Sequence, residues 1–294
     1  MAHVEVNAFA TAIKERLKKT NELPAMPELA HELLQLRNNT HANVDDLVAL
    51  VSRDPGLAAQ IMRYAHSAMF GLGRKITSLQ QAITVVMGFD TALHMTLGFA
   101  AGKFLQTPAE GPLGRCKVWQ HSLGTAALAQ ELAARMPNDI RPEKGLCYLA
   151  GLLHDFGLLL FGHWYPKQYN QLNRLVENNP GINVREMELI AFGISHDAVG
   201  REMMKAWNLP EEIVISAGEH HFPDYDGKCA VYVKLIALAN HLIERPGLSD
   251  TISGQDNAAL LEYLHLTEQQ TKDALAKVKE NQAEFQEIAK QLVV

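Results

Sequence analysis

Apolar residues in the first hundred positions recur every three or four residues, the spacing that lines one face of an α-helix. This spacing occurs at Val6 and Phe9, at Leu29 and Leu33, at Leu57 and Ile61, and at Ile83 and Val86. Two helix-start signals accompany it: Asp54 precedes Pro55, and Ser78 with Gln81 has the form of a capping box. No segment here alternates apolar and polar residues, so we predict five or six short helices.

The second half of the chain continues the helical pattern. We predict helices over residues 116–135, 142–153 and 166–178, one long helical stretch over 184–207, and helices over 210–221 and 231–242. The last forty residues are charged and amphipathic, and they predict one or two helices docked on the body. Their candidate packing stripe is Leu275, Val278, Phe285, Ile288 and Leu292.

A short stretch rich in proline and glycine, residues 106–114, separates the two halves. It divides the chain into a predicted N-terminal helical subdomain (1–108), a second helical subdomain (109–250) and a C-terminal helical tail (251–294). A surface loop inside one continuous helical domain fits the same stretch equally well. In either case the predicted fold class is all-α, with an N-terminal helical bundle packed on a second helical core.

Composition narrows the class of function. The chain has 294 residues, of which 47% are hydrophobic and 20% charged, as in a globular protein with a sizeable core. Its net charge of −6 argues against nucleic acid as the main partner, because phosphate binding needs a basic surface. The three cysteines match no paired motif, and neither a secretory signal nor a membrane-spanning segment is recognised. We therefore expect reduced thiols and a cytoplasmic protein.

The candidate chemistry centres on His154 and Asp155, which end the apolar run 149–153 and precede Gly157. Imidazole and carboxylate are both good ligands for a divalent transition metal. An ionised Asp in such a run also needs a partner, because burying it alone is costly. A structural alternative is that Asp155 caps a helix and His154 is a satisfied core histidine. Four further histidines on helical segments favour the metal hypothesis: His121, His196, His220 and His221.

These six residues suffice for one or two metal sites around a helical core. One site would use His121, His154 and Asp155. A second would use Asp155 as a bridge to His196, His220 and His221. A metal with an open coordination position would lower the pKa of its bound water to about 7 and allow attack on a phosphate. Each histidine taken alone is more often structural, so core packing stays open as an alternative.

Several short motifs, in this order, resemble the HDOD family, the HD-related output domain of bacterial signalling, over about residues 20–245. The N-terminal motifs are Leu23-Pro24-Ala25-Met26-Pro27, Arg53-Asp54-Pro55-Gly56-Leu57 and Ser67-Ala68-Met69-Phe70-Gly71. The later motifs are Gly151-Leu152-Leu153-His154-Asp155-Phe156-Gly157, His196-Asp197-Ala198-Val199-Gly200, Trp207-Asn208-Leu209-Pro210 and His220-His221. The resemblance implies an HD-like helical core in the second half.

The wider HD superfamily includes the HD-GYP phosphodiesterases, which cut cyclic di-GMP. The resemblance places their metal-binding roles on the same six residues and makes Asp155 the candidate catalytic residue. Three features depart from that pattern. A late Asp matches Asn240, a poorer and doubtful ligand; a Glu before the first His matches Lys117, which cannot ligate a cation; and the Gly-Tyr-Pro signature is absent after His221.

These departures favour a binding role over catalysis. The HDOD resemblance implies a regulatory module that binds a signalling protein or a nucleotide signal through the groove between its halves, with no enzymatic activity or only weak activity. The alternative function is a metal-dependent phosphohydrolase acting on a nucleotide or cyclic dinucleotide. We expect no membrane partner, and a homodimer is one arrangement that the sequence allows.

Overall fold

The structure is a computed structural model that describes residues 2–19, 22–67, 69, 76–243 and 254–292. Within those ranges the secondary structure consists of helices and no β-strand occurs, so the predicted all-α fold class is confirmed. The motif beginning at Ser67 lies largely outside the described residues. The predicted division of the chain at residue 108 stays a prediction.

The N-terminal part contains six helices that follow the predicted pattern. They are α1 (Ala2–Lys18), α2 (Glu28–Arg37), α3 (Val44–Ser52), α4 (Pro55–Ala65), α5 (Leu79–Gln81) and α6 (Phe89–Gly102). Asp54 caps α4, because its Oδ1 accepts the backbone N–H of Leu57 at 3.1 Å. The apolar faces of α2, α3 and α4 pack on α6, which is buried along most of its length.

The segment after Ser78 differs from the predicted simple helix. Helix α5 continues as a π-helix over Ala82–Met87, and Gly88 ends it with a φ of +79°. Ser78 Oγ accepts the N–H of Gln81 at 3.2 Å, but Gln81 Oε1 reaches the N–H of Thr77 instead of completing a capping box. Apolar spacings of three and four residues do not distinguish a π-helical turn from an α-helical turn, so the sequence did not indicate the π-helix.

Eight helices form the second part. They are α7 (Arg115–Ala133), α8 (Lys144–Leu153), α9 (Phe156–Trp164), α10 (Pro166–Asn178), α11 (Val184–Phe192), α12 (His196–Ala206), α13 (Glu211–Glu219) and α14 (Ala230–Leu242). The prediction of one long helical stretch over 184–207 is wrong. Gly193 adopts a left-handed conformation with a φ of +68° and ends α11, so His196 becomes the first residue of a separate helix.

The tail contains three helices, not the predicted one or two: α15 (Gly254–Tyr263), α16 (Glu268–Lys279) and α17 (Gln282–Gln291). The predicted docking of the tail is confirmed, because α16 and α17 both pack on α7. Most of the predicted stripe is buried there, including Val278, Phe285 and Ile288. Lys277 also donates to Glu131 of α7, with 2.7 Å between Nζ and Oε1.

Helices α7 and α8 form the centre of the fold, and α8 also packs on α6. Their close approach depends on Gly151, because a Cβ atom there would lie 2.6 Å from Cα of Ala126. Residues Lys144–Trp164 are together long and apolar enough to cross a membrane, but the apolar window is 100% buried in the fold. We therefore interpret α8 and α9 as core helices.

Candidate metal centre

The ends of several helices bring all the candidate ligands into one pocket. His121 lies on α7, His154 and Asp155 form the junction of α8 and α9, and His196 begins α12. His220 and His221 directly follow α13. Ligand atoms of His121, His154 and Asp155 lie within 4.8 Å of one another, as do those of Asp155, His196, His220 and His221. These are the two sets that the sequence suggested; their binding of a metal stays a prediction.

Asp155 lies at the middle of the pocket and belongs to both sets. Its Oδ1 is 3.2 Å from Nε2 of His196 and 3.6 Å from Nε2 of His220. Its Oδ2 is 3.3 Å from Nε2 of His154 and 3.9 Å from Nε2 of His121. Although Asp155 directly precedes α9, its side chain makes no capping hydrogen bond. The alternative in which this carboxylate serves as a helix cap is therefore wrong.

Backbone carbonyl groups orient two of the imidazoles. Nδ1 of His154 lies 2.7 Å from the carbonyl oxygen of Gly151. Nδ1 of His220 lies 3.2 and 3.1 Å from the carbonyl oxygens of Ser216 and Ala217. A carbonyl oxygen can only accept, so in each neutral ring Nδ1 carries the proton and Nε2 carries the lone pair. Both lone pairs then face the pocket, as metal coordination requires.

A buried carboxylate orients His196. Oε2 of Glu188 accepts both the backbone N–H and the Nδ1–H of His196, at 2.8 and 2.7 Å. Glu188 is fully buried, and the sequence analysis did not identify it. The available signal was its place in the apolar stripe of α11: Val184, Glu188 and Phe192 follow one another at intervals of four. A carboxylate on a buried helical face requires a nearby donor.

Close backbone packing places His196 beside Asp155. Helices α9 and α12 pack against each other, and a Cβ atom at Gly157 would lie 2.0 Å from the carbonyl oxygen of His196. Only glycine allows this approach, because the clashing atom belongs to the backbone and cannot rotate away. Gly157 therefore fixes the distance between the His154-Asp155 pair and α12, which carries His196.

The remaining contacts crowd ring nitrogens around the carboxylate. Nε2 of His196 is 3.0 Å from Nε2 of His221 and 3.4 Å from Nε2 of His220. Burial, reinforced by the nearby imidazoles, lowers the pKa of His221 well below its ordinary value. Nitrogen lone pairs and a carboxylate that converge at these distances would be stabilised by a cation among them. Imidazole and carboxylate donors fit a divalent transition metal, so the residues present fit the group that the HD resemblance implies.

Arg185 and Asp197 border this side of the pocket as an ion pair. Nε of Arg185 lies 3.1 Å from Oδ1 of Asp197. Burial alone would raise the pKa of Asp197, but His196, Ser195 and Arg185 outweigh that effect, and the pKa is lowered. The Arg185 guanidinium also lies 4.9 Å from the ring centroid of Phe222. The Asp197 carboxylate is thus neutralised by its own partner.

The opposite side of the pocket is built differently. Asn240 of α14 does reach the cluster, and its Oδ1 lies 2.7 Å from Nε2 of His121. Thr125 Oγ1 lies 3.3 Å from the same nitrogen. Lys117, which replaces a Glu of the HD-GYP pattern, is exposed on α7. The doubtful ligand Asn240 thus makes a hydrogen bond with a candidate ligand.

The cluster is almost entirely closed to solvent. Each of the following residues is at most 5% exposed: His121, His154, Asp155, His196, His220 and Asn240. His221 alone of the seven is partly exposed. Any ligand from solvent would have to approach along the side of His221 and Arg185.

Comparison with known proteins places this geometry in a family. Residues 23–223 match the family model of the HDOD domain. A protein of Marinobacter aquaeolei VT8, provisionally assigned to signal transduction, is 28% identical with a TM-score of 0.81, covering 100% of this chain and 67% of its own. An HDOD domain protein of unknown function from Geobacter sulfurreducens is 25% identical with a TM-score of 0.75, covering 98% and 99% of the two chains.

Two more distant similarities extend the comparison. A provisionally named phosphohydrolase from Shewanella amazonensis SB2B has the same fold, with a TM-score of 0.71 at 21% identity over 96% of this chain and 98% of its own. An uncharacterized protein of Treponema pallidum (strain Nichols) is 24% identical over 240 residues, which are 81% of this chain and 45% of the relative. The chain therefore spans about half the length of that curated relative.

Proposed function

Since this chain belongs to the HDOD family, we propose that it is a cytoplasmic regulatory module of bacterial signal transduction whose buried pocket binds a divalent transition metal. The module binds a signalling protein or a nucleotide signal, and hydrolysis is not its main role. The observation that supports this best is that the candidate metal ligands converge in one pocket and that this pocket is buried. The donor set of a metal centre is present, yet six of the seven residues are at most 5% exposed.

In this proposal the metal has a structural and signalling role. A bound divalent ion supplies strong electrostatic attraction for ring nitrogens and a carboxylate. Asp155 contributes from the junction of α8 and α9, His196 from the start of α12, and His220 and His221 from the end of α13. These residues would join three parts of the fold at one point, so metal binding adds directly to the stability of their arrangement.

A groove between the two halves supports the binding role. It is lined by residues from the connection 103–114, the start of α7 and the start of α10, including Lys103, Phe104, Gln106, Arg115 and Asn170. Two cations, two amides and an aromatic ring are suited to a ligand with both an anionic group and a planar ring. Lys103 also contacts Asp54, so such a ligand would compete with an existing ion pair.

The alternative function is a metal-dependent phosphohydrolase on a nucleotide or a cyclic dinucleotide. The complete donor set around Asp155 favours it, as does the fold shared with the Shewanella protein. In that role a metal would supply Lewis acidity at phosphorus, and Asp155 would hold it as the candidate catalytic residue. The burial of the cluster argues against it, because a substrate phosphate has to reach the metal.

An activity assay distinguishes the two functions. The full chain, loaded with Mn²⁺ or Zn²⁺, is incubated with bis(p-nitrophenyl) phosphate and with cyclic di-GMP. We expect no turnover above that of Asp155→Ala. Turnover that disappears in Asp155→Ala would overturn the proposed function in favour of the hydrolase.

A ligand screen tests the binding role itself. Thermal unfolding of the full chain is measured with a set of nucleotides, together with Lys103→Glu and, as a control for the charge change, Lys14→Glu. We expect a nucleotide that raises the melting temperature of the native chain and of Lys14→Glu but has little effect on Lys103→Glu. An equal shift in all three would contradict the assignment of the groove.

A further inference from the structure

We infer that the pocket holds a single metal ion, bound by Asp155, His196, His220 and His221, and that Asn240 closes the other half. We call these four residues the retained subsite, and His121, His154 and Asn240 the closed subsite. The inference rests on the proposed function, since it says which part of the pocket binds the metal. It concerns the number and the place of ions, which the family resemblance leaves open.

In the closed subsite, the ring nitrogen of His121 that faces Asp155 is engaged in a hydrogen bond with Asn240. Nε2 is the nitrogen of His121 that lies 3.9 Å from Asp155, and it is also 2.7 Å from Oδ1 of Asn240. With Oδ1 facing the ring, Nε2 carries the proton of this hydrogen bond, and an ion would have to displace that proton. If the amide is turned so that its nitrogen faces the ring, that group donates into the Nε2 lone pair. In either orientation an ion would have to break this hydrogen bond, and the neutral amide is a weaker ligand than a carboxylate.

Two nitrogens of the retained subsite face the pocket, as Nε2 of His154 also does. Glu188 accepts from Nδ1 of His196, and backbone carbonyl oxygens accept from Nδ1 of His220. Both Nε2 lone pairs therefore point toward Oδ1 of Asp155, at 3.2 and 3.6 Å. His221 adds a third Nε2, which makes a hydrogen bond of 3.0 Å with that of His196. An ion that displaces this proton gains both imidazoles as ligands. Three imidazoles and one carboxylate make the four-ligand set that suits a divalent transition ion.

The buried charges also balance one divalent ion. Two carboxylates contact the histidines of the retained subsite: Asp155 and Glu188. The third nearby carboxylate, Asp197, is paired with Arg185 at 3.1 Å. One divalent cation is neutralised by the first two. A second ion would leave a double positive charge in a buried pocket, where charge interactions are poorly screened.

This comparison assigns a specific role to Asn240. An Asp at that position would add a negative charge and an oxygen ligand beside His121, and it would leave Nε2 of His121 free of the amide. The amide supplies neither the charge nor a strong ligand. We therefore expect the single change Asn240→Asp to open the closed subsite without altering the retained one.

The test counts metal ions per chain in the purified full-length protein after loading with Mn²⁺ or Zn²⁺ and removal of the excess. Four variants are compared with the native chain: His121→Gln, His221→Ala, Asn240→Asp and, as a control, the exposed His41→Ala. His221 is chosen because it is the one partly exposed residue of the retained subsite. Circular dichroism spectra establish that each variant is folded.

We expect one ion per chain in the native protein, in His41→Ala and in His121→Gln. His221→Ala should bind the ion at least about tenfold more weakly in competition with a chelator. Asn240→Asp should bind two ions. Two ions in the native chain, or loss of the ion in His121→Gln with retention in His221→Ala, would overturn the inference and leave the proposed metal pocket intact.

Two other outcomes also decide the matter. If Asn240→Asp binds only one ion, the amide is not what closes the subsite, and the inference is wrong on that point. If the native chain binds no ion under any loading condition, both the inference and the metal-binding part of the proposed function fail.

Discussion

Oε2 of Glu188 accepts both the backbone N–H and the ring Nδ1–H of His196, at 2.8 and 2.7 Å. One buried carboxylate thus satisfies a backbone donor at the start of α12 and fixes the orientation of an imidazole. The ring then presents Nε2 to Asp155 at 3.2 Å. Carboxylates in this outer position raise the affinity of a histidine for metal. Glu188 is accordingly a positioning residue of the pocket.

Replacing Glu188 by Gln tests this role. The amide oxygen can still accept both N–H groups, so the fold should persist, but the negative charge is lost. We expect the affinity for Zn²⁺ or Mn²⁺ to fall by about 10- to 100-fold, measured by competition with a chelator. Glu186→Gln is the matched control, because Glu186 lies exposed on the same helix. Equal affinities in the two variants would show that Glu188 serves only the fold.

Gly157 and Gly200 lie at the contact between α9 and α12. Replacing each by Ala should have opposite effects on stability. A Cβ atom at Gly157 would lie 2.0 Å from the carbonyl oxygen of His196, whereas one at Gly200 would lie 3.4 Å from the backbone nitrogen of Gly157. The first distance is a clash and the second an ordinary contact. We expect Gly157→Ala to lower the free energy of unfolding by about 1–3 kcal/mol or more and to weaken metal binding.

The control for that experiment is Gly200→Ala. Replacing Gly by Ala gains at most about 1 kcal/mol of helix propensity at either position, so a larger difference between the variants reports the clash. Gly200→Ala should be neutral or stabilising in urea unfolding and should bind metal normally. Equal stability of the two variants would mean that α9 and α12 are not held as closely as the structure shows.

His94 gives the fold a defined dependence on pH. Its Nδ1 donates to the carbonyl oxygen of Asp90 at 2.7 Å, and its Nε2 accepts from Nε of Arg37 at 3.1 Å. Burial, assisted by the charge of Arg37, lowers the pKa of His94 to about 4. The folded chain therefore favours the neutral ring, whereas the unfolded chain has the ordinary pKa of about 6.5.

The direction of the effect follows from linkage. The contribution of His94 is fully present above about pH 6.5 and is lost as the pH falls toward about 4, because the unfolded state binds the proton more tightly. The two pKa values imply a loss of up to about 3 kcal/mol. We expect the free energy of unfolding to fall more steeply with acid in the native chain than in His94→Gln. Urea titrations with a chelator present measure this difference, and parallel pH profiles would refute it.

Removing the metal should destabilise the native chain. An ion that binds only the folded state adds about 2.7 kcal/mol when its free concentration is 100 times the dissociation constant. We expect a chelator to lower the melting temperature of the native chain measurably and to have little effect on His221→Ala. A native chain whose melting temperature is indifferent to both chelator and added metal would have no functioning site.

The sequence predicted the elements of the fold because its helices carry regular apolar faces with start signals such as Asp54. It also proposed the grouping of six candidate ligands, which the structure brings within 4.8 Å in two overlapping sets. It did not predict the break at Gly193, because the apolar spacing continues on both sides of that turn. Apolar periodicity indicates which face of a helix is buried, but it does not show a single residue with a positive φ.

The side-chain contacts that determine the chemistry of the pocket could not be predicted from sequence patterns. His121 and Asn240 are 119 positions apart, so no local signal shows that their side chains meet at 2.7 Å. Glu188 lies eight residues before His196, across the turn between two helices. Its carboxylate has the polarity of a surface residue, and only its place within an apolar stripe marks it as buried.

The most direct measurement is a crystal structure of the metal-loaded full chain with an anomalous difference map recorded at the absorption edge of the metal. We expect one peak, about 2.0–2.2 Å from Asp155 Oδ1 and from Nε2 of His196, His220 and His221. A map without a peak in this pocket, from crystals of a chain that was loaded with metal, would contradict the central claim.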